Sequence, residues 1–326
     1  MMEVEFRHET WPIAGTFTIS RGSKTQADVV VAILKRNGHR GWGEAVPYPR
    51  YGETVAETLA ALQTRASTIA ALTSRDEIAK LDLPFAARNA LDCALWDLEC
   101  KESGTPAWAR AGLPAPQAVT TAFTISLDTP VAMAQAASAA AERPLLKVKL
   151  GRDGDRERLE AVRKAAPRAR LIIDANEGWT SANLEEMLSL CATHGVELVE
   201  QPLPASGDEA LRSIKRPILV CADESAHGPE SLEGLTGKYD AINIKLDKTG
   251  GLTPALALAK AAQAQNFKIM VGCMLATSLA MAPAFFLAPF ADYIDLDGPL
   301  ILVRDREPAI TYAGSLMQPP PPALWG

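Results

Sequence analysis

The spacing of apolar and polar positions over the first third of the chain is typical of a small α+β unit. The β-branched run at 29–34 ends at Asn37-Gly38, and Gly41-Trp42-Gly43-Glu44 follows it. This pattern predicts a β-hairpin, because Asn-Gly favours the tight turn that joins two antiparallel strands. Two stretches rich in Ala and Leu, 54–71 and 86–100, then carry apolar residues at helical spacing.

Beyond a Gly- and Pro-containing linker at 104–116, short apolar runs alternate with stretches rich in Ala and Leu. Stretches 131–141, 156–166 and 254–265 are each long enough for one helix. The apolar runs recur roughly every 25 residues, a spacing typical of βα units. They are centred on Phe123, Val148, Ile172, Leu198, Leu219, Ile244, Met270 and Ile294. Eight such units predict an α/β fold, a (β/α)8 barrel.

A doubly wound sheet is the structural alternative to the barrel. Neither a GxGxxG nor a GxxxxGK[ST] loop follows any of the predicted strands, which favours the barrel. We therefore expect an α+β domain over 1–115, a barrel over 116–298 and a C-terminal segment over 299–326. That segment contains a strand-like run at 300–303, and we expect it to return to the N-terminal domain.

Composition and charge narrow the classes of protein to which this chain can belong. With 326 residues, 48% of them hydrophobic and 22% charged, the chain is long and apolar enough for an ordinary core. A net charge of −6 argues against nucleic-acid or anionic-membrane partners. Five scattered cysteines and four scattered histidines indicate reduced thiols and no zinc site. No leader or membrane span is predicted, so we expect a cytoplasmic protein.

Three acidic residues follow three successive predicted strands. Asp174, Glu200 and Asp223 would meet at the carboxyl ends of those strands, where barrel enzymes place their chemistry. Three carboxylates need a counter-charge, and hard oxygen ligands without a nearby His or Cys favour Mg²⁺. Capping of the following helices is the alternative for any single acid. Three acids in consecutive strands favour the metal site.

Lysines lie at two of the same strand ends. Lys149 ends the second strand and Lys245 the sixth, which places them on opposite walls of a ring of eight. Lys147 shares a face with Lys149, and we expect its charge and the metal to lower the proton affinity of Lys149. The alternative is that these are solvated surface lysines. The arrangement supports proton abstraction α to a carboxylate through a metal-stabilised enediolate, and two opposed bases would invert the stereocentre.

Asp295 and Asp297 alternate on the eighth predicted strand and so share a face. Such a pair suits a cationic group on the substrate, although capping of the turn at Gly298-Pro299 remains open. Two predicted loops, 20–23 and 48–53, contain arginines that would meet an anionic substrate if the loops cover the barrel mouth. Solvent-facing loops are the alternative.

The strand-end motifs together resemble the muconate-lactonising subgroup of the enolase superfamily. The motif at 295–299 is similar to that of the dipeptide epimerases within it, and the similarity extends into 47–53 and 87–98. The other motifs are Lys147-Val148-Lys149, Asp174-Ala175-Asn176, Glu200-Gln201-Pro202-Leu203, Asp223-Glu224-Ser225 and Asn243-Ile244-Lys245-Leu246-Asp247-Lys248-Thr249-Gly250-Gly251.

The resemblance implies a role for each candidate residue. It implies Asp174, Glu200 and Asp223 as ligands of one Mg²⁺ per subunit, and Lys149 and Lys245 as an acid/base pair assisted by Lys147. It also implies Asp295 and Asp297 as the pair that binds an α-ammonium group, and Arg21 as an arginine directed towards a Glu side chain. The implied fold is a modified barrel of the (β/α)7β type, one helix short of the count above, with an N-terminal α+β capping domain completed by the C-terminal tail.

The implied activity is epimerisation of the C-terminal residue of a small dipeptide, most closely L-Ala-L-Glu and L-Ala-D-Glu, in murein peptide recycling. A homo-oligomer is compatible with it. A lyase of the o-succinylbenzoate synthase type would use the same site, but its substrate carries no ammonium group for Asp295 and Asp297. A non-catalytic binding protein would not need intact lysines and metal acids.

Overall fold

The computed structural model describes residues 2–326, and its N-terminal part is an antiparallel sheet covered by helices. The sheet consists of β1 (Glu3–Ile19), β2 (Gly22–Arg36) and β3 (His39–Ala45). Asn37 and Gly38, both at positive φ, connect β2 and β3 as the predicted hairpin. The sequence analysis did not predict β1, whose side chains are mostly exposed or half-buried and give only a weak apolar pattern.

Four helices accompany this sheet: α1 (Val55–Thr64), α2 (Ala66–Ala70), α3 (Phe85–Ser103) and α4 (Ala107–Arg110). The single helix predicted over 54–71 is therefore two, since the backbone at Arg65 leaves the helical range. Helix α3 lies directly against β3 because Gly41 and Gly43 have no side chains. A Cβ at either glycine would come 2.1 Å from a backbone oxygen of α3. Strand β4 (Val119–Thr120) precedes the barrel.

The barrel contains eight parallel strands in sequential order. They are β5 (Phe123–Ile125), β6 (Leu145–Lys149), β7 (Arg170–Asp174), β8 (Val196–Glu200), β9 (Leu219–Ala222), β10 (Ala241–Ile244), β11 (Lys268–Gly272) and β12 (Tyr293–Asp295). All eight predicted strand centres lie in these strands. The amide of Ala122 donates to the carbonyl of Ile294 at 2.8 Å, which brings the first and last strands together.

The helices that follow these strands vary in length. They are α5 (Pro130–Ala139), α6 (Asp155–Ala165), α7 (Leu184–Thr193), α8 (Leu232–Leu235), α9 (Leu246–Thr249), α10 (Leu252–Ala264), α11 (Ser278–Phe285) and α12 (Gly298–Ile301). A 3-10 segment, Ala205–Arg212, follows β8. The helices predicted at 131–141, 156–166 and 254–265 match α5, α6 and α10. Only the four-residue α12 follows β12, which confirms the (β/α)7β type.

The strand predicted at 300–303 is wrong, because the first half of this run, Leu300 and Ile301, belongs to α12. Pro299 supplies a fixed φ in the first turn of that helix, and only Leu302 forms a β-bridge, to Ile13 of β1. The tail does return to the N-terminal part, as expected. Its fully buried Trp325 donates from Nε1 to the carbonyl of Cys93 in α3 at 3.0 Å. Before that, β13 (Tyr312–Ala313) pairs with β14 (Leu316–Met317), and β14 pairs with β4.

The interior of the barrel is closed at its lower end by one apolar ring, with members from every strand or the residue next to it. The ring consists of Ala122, Leu145, Ile172, Leu198, Cys221, Ala241, Met270 and Tyr293. Side chains alternate between the two faces of a strand, so the next inward positions lie two residues further on. Those positions form the mouth of the barrel. No helix within residues 2–326 is both long and apolar enough to cross a lipid bilayer.

Candidate active site

The inward positions just above the apolar ring are occupied by buried charged and polar side chains, which we call the charged ring. Each lies at or just beyond the carboxyl end of its strand. The ring consists of Lys147, Asp174, Glu200, Asp223, Asn243 and Asp295. Gly272 takes the corresponding place on β11, where a Cβ would come 2.5 Å from the Asn243 side chain. Asn243, which the sequence analysis did not single out, donates from Nδ2 to Glu200 Oε1 at 2.7 Å.

The two predicted acid/base lysines lie above this ring and are each bound to one carboxylate of it. Lys149 Nζ is 2.6 Å from Asp174 Oδ2, and Lys245 Nζ is 2.7 Å from Asp223 Oδ2. Their strands, β6 and β10, are four apart in the eight-stranded order. The two amino groups therefore face one cavity from opposite walls.

Lys147 is the centre of the charged ring. Its Nζ lies 2.6 Å from Asp295 Oδ2, 2.7 Å from Glu200 Oε2 and 3.3 Å from Asp174 Oδ2. Burial lowers the pKa of this amine, but the three carboxylates outweigh burial and hold the pKa well above its ordinary value. Lys147 is therefore a fixed internal cation.

The donor set at the mouth fits a hard divalent cation. Asp174, Glu200 and Asp223 supply buried carboxylate oxygens from three adjacent strands, which are the ligands that a hard cation prefers. In this structure lysine amines lie against these oxygens: Lys147 Nζ is 2.7 Å from Glu200 Oε2, and Lys248 Nζ is 2.7 Å from Asp223 Oδ1. Burial opposes ionisation of Asp174 and Asp223, yet the neighbouring lysines keep the pKa of both below the ordinary range. Within residues 2–326 no three Asp, Glu, His or Cys side chains are already arranged to bind a metal ion. The carboxylates of Asp174, Glu200 and Asp223 are instead ion-paired with lysines.

Asp295 and Asp297 have different surroundings, contrary to the prediction that both alternate on one strand. Asp295 ends β12, and its Oδ1 is buried without a hydrogen bond. Asp297 lies beyond the strand at φ −94° and ψ 5°, and its Oδ2 accepts from the amide of Thr124 at 2.6 Å. Asp297 occupies the N-cap position of α12, but its side chain forms no capping hydrogen bond, so side-chain capping does not account for this residue. Burial, together with the charge of Asp295, raises the pKa of Asp297 to about 6.

A cavity of about 470 Å³ opens above the two lysines. The residues that line it come from the barrel mouth and from two segments of the N-terminal part, 17–28 and 46–51. We call residues 20–24, which are the turn between β1 and β2 and the first residues of β2, the first capping loop, and residues 48–53 the second. Both lie over the mouth, as the sequence predicted, and the solvent-facing alternative is wrong. Asp295 and Asp297 are not among the lining side chains.

The first capping loop brings two cations to the cavity. Arg21 is already paired, with Nη2 2.7 Å from Glu224 Oε1 and Nη1 3.1 Å from Glu177 Oε2. Lys24, which the sequence analysis missed, lies 5.2 Å from the centre of the Tyr48 ring. Among the described residues no carboxylate lies within 4 Å of the Lys24 amine. Its place three residues after Arg21, directly after the predicted loop 20–23, is the signal that could have identified it.

Glu224 is the acid that faces Arg21 from the barrel side. It follows Asp223 at the end of β9, is almost completely buried, and leaves Oε2 without a hydrogen bond. Burial and then the charges of Asp223 and Asp174 raise the pKa of Glu224 to about 7, against the opposing effect of Arg21. When Glu224 is ionised, it and Arg21 form an ion pair at the wall of the cavity.

Comparisons with known proteins agree on one family. Residues 131–319 match the model described as enolase C-terminal domain-like. Residues 1–112 match the N-terminal domain of mandelate racemase / muconate lactonizing enzyme. The chain is 46% identical to L-Ala-D/L-Glu epimerase from Escherichia coli, over 96% of this chain and 98% of that protein. It is 44% identical to N-acetyl-D-glutamate racemase from a Pseudoalteromonas species, over 91% of this chain and 95% of that one.

Solved structures give the same picture. An enolase family member from Agrobacterium tumefaciens, described as having homology to dipeptide epimerases, has a TM-score of 0.98 and 52% identity, with complete coverage of both chains. That structure holds sodium and L-Ala-L-Glu. A dipeptide epimerase from Enterococcus faecalis, complexed with Mg and L-Leu-L-Tyr, has a TM-score of 0.90 and 28% identity, over 97% of this chain and 96% of that one.

Proposed function

Because this chain is an isomerase that belongs to the dipeptide epimerases of the enolase superfamily, we propose that it interconverts L-Ala-L-Glu and L-Ala-D-Glu. The observation that carries this proposal is the placement of Lys149 and Lys245 on opposite walls of one cavity. A base on each side of an α-carbon can remove the proton from one face and return it to the other. We further propose that the reaction serves murein peptide recycling.

In this mechanism each lysine acts on one epimer as the base and on the other as the acid. In the structure both amines are tied to carboxylates, Lys149 to Asp174 and Lys245 to Asp223. Burial lowers the pKa of Lys245, but Asp223 outweighs it and raises that pKa well above its ordinary value. Lys245 can therefore accept a proton only when Asp223 has another counter-charge.

We propose that Asp174, Glu200 and Asp223 hold one Mg²⁺. Bound there, the ion would supply positive charge to an enediolate, which is the usual electrostatic contribution of a metal at a developing oxyanion. Lys147 adds a second fixed positive charge from below, because three carboxylates keep it protonated. The carboxylates that hold the lysines in this structure are the same ones that would hold the ion.

Recognition of the dipeptide would use both ends of the substrate. We propose that Asp295, with Asp297 beside it, receives the α-ammonium group, since Asp295 Oδ1 is buried and has no hydrogen bond of its own. The side-chain carboxylate of Glu would meet Arg21, the residue predicted from the sequence. Lys24 would join it, because its amine has no carboxylate partner within 4 Å in the described part of the chain.

The test is an epimerisation assay in D2O with purified protein, Mg²⁺ and L-Ala-L-Glu. We expect deuterium at the α-carbon of Glu, formation of L-Ala-D-Glu, complete loss of both after chelation and recovery with Mg²⁺. Parallel reactions contain N-acetyl-glutamate, the substrate type named for one relative, and a succinylbenzoate precursor. Neither carries an ammonium group for Asp295, so we expect little turnover of either. Full activity after metal removal would refute the metal proposal. Preference for N-acetyl-glutamate over L-Ala-L-Glu would refute the dipeptide as the substrate.

A further inference from the structure

Glu177 lies where three parts of the fold meet at the rim of the cavity. It follows β7, three residues after Asp174, and its side chain is only 8% exposed. Its carboxylate forms a two-pronged ion pair with Arg50 of the second capping loop, in which Arg50 Nε and Nη2 each donate at 2.6 Å. Such paired bonds between guanidinium and carboxylate are stronger and more directional than single contacts.

The same carboxylate also contacts the first capping loop and the barrel. Arg21 Nη1 lies 3.1 Å from Glu177 Oε2, and the amide of Ala205 donates to Glu177 Oε1 at 2.8 Å. One side chain thus links both capping loops to the segments that follow β7 and β8. No other carboxylate in the described chain pairs with arginines of both capping loops.

The backbone around Glu177 is held in an unusual conformation. Asn176 and Glu177 have φ values of 45° and 63°, in the left-handed region that non-glycine residues rarely occupy. Next to them, a Cβ at Gly178 would lie 2.3 Å from the carbonyl oxygen of Gly151. The segments that follow β6 and β7 are therefore in direct backbone contact here. Strain of this kind persists where surrounding structure fixes it, and it is concentrated at functional sites.

We propose that Glu177 is a positioning residue that fixes both capping loops over the barrel mouth, so that Arg21 and Tyr48 form a wall of the substrate cavity. Glu177 is not itself among the residues lining the cavity. It acts through Arg50 and Arg21, and it has no part in moving protons. The proposal rests on the proposed function only in that a dipeptide is the substrate used to measure it.

Loosening the loops lowers the fraction of enzyme that is ready to bind substrate, and the apparent affinity falls by that fraction. Glu177→Gln keeps the size of the side chain but removes its charge. We expect KM for L-Ala-L-Glu to rise by roughly 10-fold, which is the low end for losing a charged hydrogen bond. We expect kcat to stay within about twofold, because the lysines and the charged ring are untouched.

Glu197→Gln is the matched control. Glu197 forms the same two-pronged pair, with Arg170 Nε and Nη2 at 2.7 Å, at the opposite end of the barrel. Amide hydrogen exchange, read by mass spectrometry on the substrate-free protein, gives a readout that needs no activity. We expect Glu177→Gln to speed exchange in residues 20–24 and 48–53, whereas Glu197→Gln leaves these two loops unchanged.

Arg50→Met tests the same contact from its more exposed partner. Because Arg50 and Glu177 act as a unit, the double variant should be no more impaired than Glu177→Gln alone. Unchanged loop exchange in both single variants would overturn the proposal, even if KM rises. The wild-type protein could also fail to epimerise the dipeptide while Glu177→Gln still speeds exchange in both loops. That result would support the positioning role and refute the proposed substrate.

Discussion

Inside the barrel two rings of side chains lie one above the other on the same strands. Leu198 belongs to the apolar ring and Glu200, two residues later on β8, to the charged ring. Ile172 and Asp174 have the same relation on β7. All four are completely buried, so the rings differ in chemistry and not in exposure. The strand geometry is the same for both rings. The residue type alone determines whether a ring forms part of the apolar core or of the candidate active site.

The two rings make opposite contributions to stability. Burying an apolar side chain stabilises the folded state by about 1.5–3 kcal/mol. Burying a carboxylate or an ammonium group costs free energy that its partner repays only in part. The charged ring is tolerated because each of its carboxylates has a lysine or asparagine within about 3 Å. The lower ring therefore stabilises a fold whose upper ring is arranged for chemistry.

The largest effect is expected from the lysines above the charged ring. Lys149→Ala and Lys245→Ala should each reduce epimerisation by about 10²–10⁴-fold, the range for a general acid or base. Each variant should still exchange the α-proton of one epimer, and the two variants should spare opposite epimers. The measurement is NMR of both epimers in D2O.

Lys268→Ala is the control for that pair. Lys268 is ion-paired with Asp292 at 2.7 Å, but it lies at the start of β11, at the lower end of the barrel. We expect its activity to match the wild type. If Lys149→Ala or Lys245→Ala also epimerises at close to the wild-type rate, the opposed-base mechanism is wrong.

A substitution in the apolar ring should affect stability and leave the chemistry intact. Leu198→Ala removes buried apolar contacts and leaves a cavity, so the free energy of unfolding should fall by about 2–5 kcal/mol. Urea denaturation measures this change. The kcat/KM of the protein that remains folded should stay within a few fold, and a loss comparable to that of the lysine variants would show that the two rings are not separable.

A smaller effect is expected from pH, through Asp297. Its pKa is raised to about 6, so it takes up a proton as the pH falls through 6 and its negative charge beside Asp295 is lost. We expect KM for a dipeptide to rise by up to about 10-fold between pH 7 and pH 5. Because this acid binds its proton more tightly when folded than when unfolded, its contribution to stability is fully present below about pH 4, is lost as the pH rises to about 6, and changes no further above that. Unfolding would therefore not explain the rise.

Asp297→Asn separates this explanation from others. The variant should show a raised KM at all pH values and lose the increase between pH 7 and pH 5. A variant whose KM still increases over that interval would assign the pH dependence to another group.

Much of the fold and of the candidate site could be predicted from the sequence because the underlying patterns are local. Alternation with period two and a regular spacing of apolar runs located every barrel strand, and the residue after each run identified Asp174, Glu200 and Asp223. The opposition of Lys149 and Lys245 followed from their order in a closed ring. Chain order alone is enough for such a conclusion, because consecutive strands are neighbours.

The tertiary structure decided which charges are paired, since the partners are far apart in the sequence. Arg50 meets Glu177 across 127 residues, and Arg21 meets Glu224 on a different strand end. Asp297 left the strand on which alternation placed it because its carboxylate bonds to Thr124. The sequence by itself determined which residue types reach the barrel mouth. Which oxygen meets which amine depended on loops brought together only by folding, because ion pairs form through space between groups that no sequence period relates.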